Sequence, residues 1–270
     1  MARRKTPSLK RVVMFSGGLG SWAAAKRIVL QDGRRNVTLL FADTLIEDAD
    51  LYRFLDEAAK NVGAPLVRIA DGRTPWDVFR DERFLGNARI DPCSKLLKRE
   101  PSNRWLAENC DPRSTVVHVG IDWTESHRFD RIRERRALEG WTYAAPLCDP
   151  PYLSKLEMLD WLKRERIRPP RLYDLGFTHN NCGGFCCKAG QGHFANLLRK
   201  LPDRYAHHEA KELELRRYLG KNVSVLVDRR GGGKRKPLTL RDFRRRLMRD
   251  EQFDEGEIGG CGCFSGEAPE

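Results

Sequence analysis

The chain has 270 residues with a formal net charge of +12, and 33% of its residues are charged. Its mean hydropathy of −0.61, and the lack of any apolar run near the ~20 residues that span a bilayer, exclude a membrane-embedded protein. The length allows a substantial core, and the positive charge favours a polyanionic partner or an enzyme that handles nucleotides. The basic N-terminus leads into no apolar signal core, so we predict a cytoplasmic protein.

The segment 12–26 organises the N-terminal half of the chain. An apolar strand pattern ends in the turn SGGLGS at 16–21, which opens directly into an alanine-rich helix pattern. Glycines let the backbone approach an oxyanion, and a helix N-terminus presents unpaired N–H groups at the positive end of its dipole. The spacing matches neither the Walker loop nor the dinucleotide fingerprint. We assign phosphate binding to Ser16, Gly17, Gly18, Gly20 and Ser21.

Strand and helix patterns then alternate along the chain, which predicts parallel β-α-β units with ligands at the carboxyl ends of the strands. Asp43 and Gly120 each follow a predicted strand. An aspartate at a strand end can hold a ribose or, through water, Mg²⁺, and it can also cap the next helix. The stretch 73–89 is predicted to be irregular. Predicted strands lie at 12–15, 37–41, 66–69, 116–119 and 143–147, and predicted helices at 21–31, 48–62, 101–109 and 153–166.

The pattern changes near residue 176, where the alternation fades and cysteine and glycine become dense. We therefore predict a nucleotide-binding domain at 8–175 and a smaller, cysteine-rich basic region at 176–270. The predicted fold class is α/β, with a doubly wound, mostly parallel sheet. Within the C-terminal region we predict helices at 192–198, 203–219 and 241–249 and a strand at 223–227.

Eight cysteines without a signal peptide favour metal or thiol chemistry over a disulfide framework. Two glycine-rich turns each carry a pair of thiols, and four thiolates suit a tetrahedral zinc or an iron–sulfur cluster. The predicted ligands are Cys182, Cys186, Cys261 and Cys263, with Cys187 as a substitute for Cys186. The alternative is redox chemistry, in which a C-terminal thiol attacks a bound sulfur species.

Two basic stretches have alternative interpretations. Five arginines at 128–136 form either a solvated helix face or ligands for bound phosphates. The run 229–249 motivates binding to DNA or RNA, as an accessory protein of a nucleoprotein complex.

Over about 11–194 the chain resembles the phosphoadenosine-phosphosulfate reductase family, within the PP-loop ATP pyrophosphatases of the adenine-nucleotide α-hydrolase fold. The motifs that carry the resemblance occur in the family's order. They are the loop 16–21, Asp43-Thr44, Cys93 with Lys98 and Pro101, Gly120 with Glu125-Ser126, Pro146-Leu147, Trp161, Pro169, the segment 172–177 and Cys182.

Several departures from the family pattern bear on function. Asp122 stands where the family has an arginine, and its charge would repel a sulfate or phosphate group. Ser94 replaces the second cysteine of the Cys-Cys segment, and the segment 260–264 replaces the reductases' Glu-Cys-Gly-Leu-His tail. In these respects the chain is more similar to the reductase-like proteins of phages and mobile elements, and to relatives that thiolate DNA or tRNA.

The resemblance implies an enzyme that uses ATP with Mg²⁺ to adenylate a substrate, releases pyrophosphate and AMP, and assists sulfur transfer. Asp43 and Gly120 would then line the nucleotide, and Lys98 and Arg128 would stabilise developing charge. A thiol-dependent sulfonucleotide reductase is the alternative enzyme, with Cys261 or Cys263 as its nucleophile. A nucleotide-binding accessory protein is the third hypothesis. The sequence does not determine the oligomeric state, and a homodimer is one of the states it allows.

Overall fold

The computed structural model describes residues 9–228, 230, 235–253 and 255–259. Five parallel strands form its central sheet: β1 (Lys10–Met14), β2 (Val37–Asp43), β3 (Leu66–Ala70), β4 (Thr115–His118) and β5 (Thr142–Ala144). Their order across the sheet is β3-β2-β1-β4-β5. β1 is central and pairs with β2 and β4, with Val13 opposite both Leu39 and His118. A short antiparallel hairpin of β6 (Leu226–Asp228) and β7 (Lys236–Leu238) lies apart from this sheet.

The helices connect these strands and then build the C-terminal region. A π-helical turn, Lys95–Arg99, lies between the short helix Pro92–Ser94 and the helix that begins at Glu100. Short 3₁₀ turns occur at Pro112–Ser114, Trp123–Glu125 and Asn181–Gly184. The helices are α1 (Leu19–Asp32), α2 (Ala49–Val62), α3 (Pro75–Asp81), α4 (Pro92–Ser94), α5 (Glu100–Asn109), α6 (Ser126–Leu138), α7 (Lys155–Arg164), α8 (Arg171–Asp174), α9 (Gln191–Lys200), α10 (Pro202–Leu219) and α11 (Leu240–Met248).

The sheet is covered on both faces because successive side chains of a strand point to opposite sides. Val13 of β1 joins a core with residues of α1, α2 and α7. Its neighbours Val12 and Met14 join a second core with residues of α5 and α6. The predicted doubly wound α/β class with a parallel sheet is thereby confirmed.

A third core connects the C-terminal helices to α3. Trp76 of α3 donates a hydrogen bond to Nδ1 of His208 on α10 over 3.0 Å, and both side chains are buried. Phe185, Phe194 and Phe243 belong to the same cluster. Residues before and after position 175 share this core. The predicted boundary between 8–175 and 176–270 therefore does not separate two cores, and the division into two domains stays a prediction.

The prediction of an irregular stretch at 73–89 is wrong, because α3 begins at Pro75. Thr74 accepts a hydrogen bond from the backbone N–H of Asp77, whose carboxylate accepts from the backbone N–H of Thr74. This reciprocal capping box, with proline at the first helical position, is a start signal that was present in the sequence. The strand predicted at 223–227 is also displaced, since β6 begins at Leu226. Within the described residues, no helix is both long and apolar enough to cross a membrane.

His118 on β4 makes the stability of the sheet depend on pH. Among the described residues neither of its ring nitrogens has a hydrogen-bond partner, and burial lowers its pKa to about 4, with nearby Arg11 acting in the same direction. The unfolded chain binds this proton near pH 6.5, so the free energy of unfolding falls as the pH drops from about 6.5 towards 4. Where His118 is protonated in the unfolded chain and neutral in the folded chain, the free energy of unfolding falls by about 1.4 kcal/mol per pH unit.

We expect His118→Val to flatten this pH dependence and to raise stability most at about pH 5, because valine suits a buried strand and has no proton to bind. Urea unfolding of both proteins between about pH 5 and 8 measures the effect. Parallel pH profiles for the wild-type and variant chains would contradict it.

Candidate functional site

The predicted phosphate loop connects the end of β1 to the start of α1. Gly17 has φ +75°, a left-handed conformation that favours glycine, and Gly18 is the N-cap of α1. Two distant side chains fix the loop. Tyr173 Oη accepts a hydrogen bond from Leu19 N–H at 3.3 Å, and Asn180 Nδ2 donates to the Gly17 carbonyl at 3.1 Å.

Gly120 follows β4, the parallel neighbour of β1, so it lies at the same edge of the sheet. A methyl group at Gly120 would lie 2.6 Å from Ser21 N, and one at Gly20 would lie 2.7 Å from the Gly120 carbonyl oxygen. The two backbones are therefore in direct contact, which only glycine permits at these positions. This contact fixes the phosphate loop against the turn that follows β4.

A cavity of about 260 Å³ opens at this edge of the sheet, and we call it the nucleotide cavity. The amino end of α1 lines it, so backbone N–H groups and the helix dipole favour an anion there. The predicted site residues that line it are Ser16, Gly18, Gly20, Ser21, Gly120, Lys98 and Arg128.

Two assigned residues do not line the nucleotide cavity. A methyl group added at Gly17 would lie 3.0 Å from Leu51 Cγ. Asp43 accepts hydrogen bonds from Tyr52 Oη at 2.9 Å and from Leu45 N–H at 2.8 Å, and its role at the nucleotide stays a prediction. Of the five arginines at 128–136, Arg128 alone is among the residues that line the cavity, where it forms an ion pair with Glu125. Arg136 is buried instead and bonds to Glu139.

Several lining residues were not assigned from the sequence. Asp122, the departure from the family pattern, lines the cavity and accepts a hydrogen bond from Thr124 N–H at 2.9 Å. Lys155 lies 4.7 Å from the ring centroid of Tyr173, and both side chains face the cavity. The polar residues 178–181, just before Cys182, also line the nucleotide cavity. Their polar character was the one feature of the sequence that could have predicted this wall of the cavity.

A second, smaller cavity of about 20 Å³ contains thiols, and we call it the thiol cavity. Lys98 lines both this cavity and the nucleotide cavity. Its ammonium lies 3.9 Å from Glu47 Oε1, and both side chains are buried. Burial raises the pKa of Glu47, whereas Lys98 and hydrogen bonds from Thr44 and from the Cys182 backbone favour its charged form. A buried cation thus separates the two cavities.

Four cysteines line the thiol cavity: Cys93, Cys182, Cys186 and Cys187. Cys93 Sγ lies 3.8 Å from Cys187 Sγ, although 94 positions separate them in the chain. Cys187 therefore supplies a thiol close to the position where Ser94 replaces the family's second cysteine. Of the predicted metal ligands, Cys182 and Cys186 are thus brought together, while Cys261 and Cys263 lie outside the described residues.

The four thiols differ in acidity. The hydrogen bond with Cys187 lowers the pKa of Cys93, and the same contact together with burial raises the pKa of Cys187. Burial raises the pKa of Cys186 to about 11 and that of Cys182 further. Cys93 is therefore the member of the set that most readily becomes a thiolate.

The soft donors fit an iron–sulfur cluster or a soft metal by their chemistry. Their spacing is not that of a closed mononuclear site: in the described part of the chain, no three His, Cys, Asp or Glu side chains are placed to hold a single metal ion. A cluster would need the thiols to move apart, because the cavity among them measures about 20 Å³. Lys98 would supply the positive charge that a cluster with four thiolates requires.

A family model for the phosphoadenosine phosphosulfate reductase domain matches residues 10–189, which contain the motifs of the resemblance. A crystal structure of phosphoadenylyl-sulfate (PAPS) reductase from Candida auris, in a phosphate complex, is 18% identical to the chain. The match covers 64% of this chain and 80% of that chain, with a TM-score of 0.43. No curated protein matches the chain. The resemblance to phage and mobile-element proteins stays a prediction.

Proposed function

The chain belongs to the phosphoadenosine phosphosulfate reductase domain family, and we propose that it cleaves ATP to AMP and pyrophosphate while it activates an acceptor. The observation that carries this proposal is the nucleotide cavity at the 16–21 loop, where a helix N-terminus and two cations, Lys98 and Arg128, face the same space. Asp122 lines the same cavity, so a nucleotide whose phosphates carry Mg²⁺ suits it better than a bare sulfonucleotide. ATP with Mg²⁺ is therefore the favoured substrate.

In the proposed reaction an oxygen of the acceptor attacks the α-phosphorus of ATP. A bond forms between that oxygen and phosphorus, and the bond to the oxygen that bridges to the β-phosphate breaks. Pyrophosphate leaves with the bridging oxygen and its electron pair, and the acceptor's proton passes to solvent. A second nucleophile, a sulfur donor or water, then forms a bond to the acceptor and displaces AMP with the electron pair of the acceptor–oxygen bond. With ATP alone, water takes the acceptor's place and AMP forms directly. Loop N–H groups hold the phosphates, while Lys98 and Arg128 stabilise the charge that develops on them.

Asp122 and Glu125 are the carboxylates that would hold Mg²⁺ in the nucleotide cavity. Mg²⁺ usually takes one or two carboxylates together with the phosphates of its nucleotide, which suits this pair. When bound, the ion neutralises phosphate charge.

Purified protein supplied with ATP and Mg²⁺ is expected to release AMP and pyrophosphate, separated by ion-exchange chromatography. Arg128→Gln should lower the rate about a hundredfold, because it removes one charge-stabilising donor. Arg133→Gln is the matched control, since Arg133 lies on the same helix, is largely exposed and pairs with Asp130. ADP as the sole product would contradict the proposal, and so would equal rates for the two variants.

A sulfonucleotide reductase remains the second candidate, and the position of Lys98 between the nucleotide and thiol cavities favours it. This candidate predicts release of sulfite from a sulfonucleotide that depends on added thiol. The release should disappear in Cys261→Ser or in Cys263→Ser. Sulfite release that persists in both variants would exclude these residues as the nucleophile.

For the cofactor we propose an iron–sulfur cluster held by Cys93, Cys182, Cys186 and Cys187. Their convergence on one cavity and their soft sulfur donors support this set. When bound, a cluster supplies a redox-active group beside Lys98.

An anaerobic preparation is expected to contain iron and to absorb visible light, and Cys93→Ser should lose both properties. Cys110→Ser is the control, because Cys110 packs against a different core. Removal of residues 260–270 should leave the iron content unchanged. Loss of iron on that truncation would instead support Cys261 and Cys263 as ligands, and stoichiometric zinc would contradict the cluster.

A further inference from the structure

A basic concavity of about 560 Å³ is separate from the nucleotide cavity. The loop after α3, the end of α10 and the β6-β7 hairpin form its walls. We call it the basic groove, defined by five exposed cations that line it: Arg83, Arg89, Lys221, Arg235 and Lys236.

These five cations have no acidic partner within the described ranges, and Glu257 is the one carboxylate among the groove's lining residues. The basic helix α11 behaves differently. Arg244 of α11 bonds to Glu209 at 2.8 Å, and Arg246 bonds to Asp228 at 2.7 Å. Many cations of the basic run 229–249 are thus paired within the protein, whereas Arg235 and Lys236 of the same run line the groove.

The floor and rim of the groove favour nucleic acid over an acidic peptide. Its floor is apolar, with Phe84, Leu85 and Val225, and so offers contact area for the flat faces of bases. Next to it, the ring of Tyr218 is 46% exposed, and the guanidinium of Arg83 lies 5.5 Å from its centroid. Phosphates accept bidentate hydrogen bonds from arginine, and aromatic rings stack on bases.

We infer that the basic groove binds a single strand of nucleic acid, with phosphates on its lysines and arginines and bases against its apolar floor. Cys187 lines both the groove and the thiol cavity. A nucleic-acid strand in the groove therefore lies beside the four thiols. Lys98 and the nucleotide cavity lie on the far side of those thiols. Because a base can reach the floor only when it is unpaired, the groove should prefer a single strand to a duplex.

The test is the fluorescence anisotropy of a labelled single strand of about 12 nucleotides, without any ATP, so that it is independent of the proposed reaction. Affinity should fall as salt rises from about 50 to 200 mM. The double variant Arg235→Glu/Lys236→Glu should bind at least about tenfold more weakly and lower the salt slope by about 0.7 for each lost phosphate contact.

Lys60→Glu/Lys163→Glu is the matched control, with the same change in net charge at exposed positions on α2 and α7. It should bind the strand like the wild type. The inference is overturned if the control loses as much affinity as the groove variant, or if binding does not fall with salt. It is also overturned if a duplex or a polyglutamate peptide of equal length binds as tightly as the strand.

Discussion

Replacing Gly120 by alanine is expected to lower the affinity for ATP by at least about a hundredfold, because a displacement of about 1 Å in a binding site has an effect of that size. The new Cβ would lie 2.6 Å from Ser21 N and 2.7 Å from the Gly20 carbonyl carbon. These are backbone atoms, so they cannot rotate away as a side chain can. The phosphate loop must move, and its N–H groups then no longer converge on the phosphates.

Isothermal titration with ATP measures this effect, and circular dichroism checks that the variant is folded. Gly140→Ala is the control. Among the described residues, no heavy atom beyond its chain neighbours lies within 4 Å of its added methyl, and its φ of +81° makes alanine costly by about 1 kcal/mol. It should lose stability and keep its affinity. Gly20→Ala probes the same contact from the other side and should resemble Gly120→Ala. Wild-type affinity in Gly120→Ala would show that the contact does not position the loop.

Replacing Lys98 by methionine is expected to affect stability and activity by separable mechanisms. It leaves Glu47 buried without its cation, which should cost about 3 kcal/mol of the free energy of unfolding. It also removes a cation from the nucleotide cavity, which should lower the rate of ATP cleavage about a hundredfold to a thousandfold.

The double variant Lys98→Met/Glu47→Gln separates the two effects. Glutamine can accept a hydrogen bond from the Cys182 N–H and donate one to Thr44 Oγ1, so unfolding by urea should return close to the wild-type value. The rate should stay low, because the cation is still absent. Lys95→Met is the matched control in the same π-helical turn, where Lys95 is largely exposed. Recovery of the rate in the double variant would show that Lys98 acts only through stability.

The elements around the phosphate loop were predictable because their signals are local. The helix predicted at 48–62 begins at Ala49 with Asp48 as its cap, and it ends before Gly63 in the left-handed conformation. The strand predicted at 37–41 continues to Asp43. The capping signal at Thr74 was equally local and was missed, because polar and aromatic residues obscure the apolar periodicity of so short a helix.

The sequence by itself determined the α/β class, the glycine-rich loop 16–21 and the strand ends at which the nucleotide cavity opens, since short-range periodicity, caps and glycines specify these features. Only the tertiary structure decided that Cys187 meets Cys93, that Lys98 lies between two cavities and that the charge of α11 is paired internally. These contacts join residues far apart in the chain. Spacing along the sequence does not encode such distances, because they depend on how helices pack around the finished sheet.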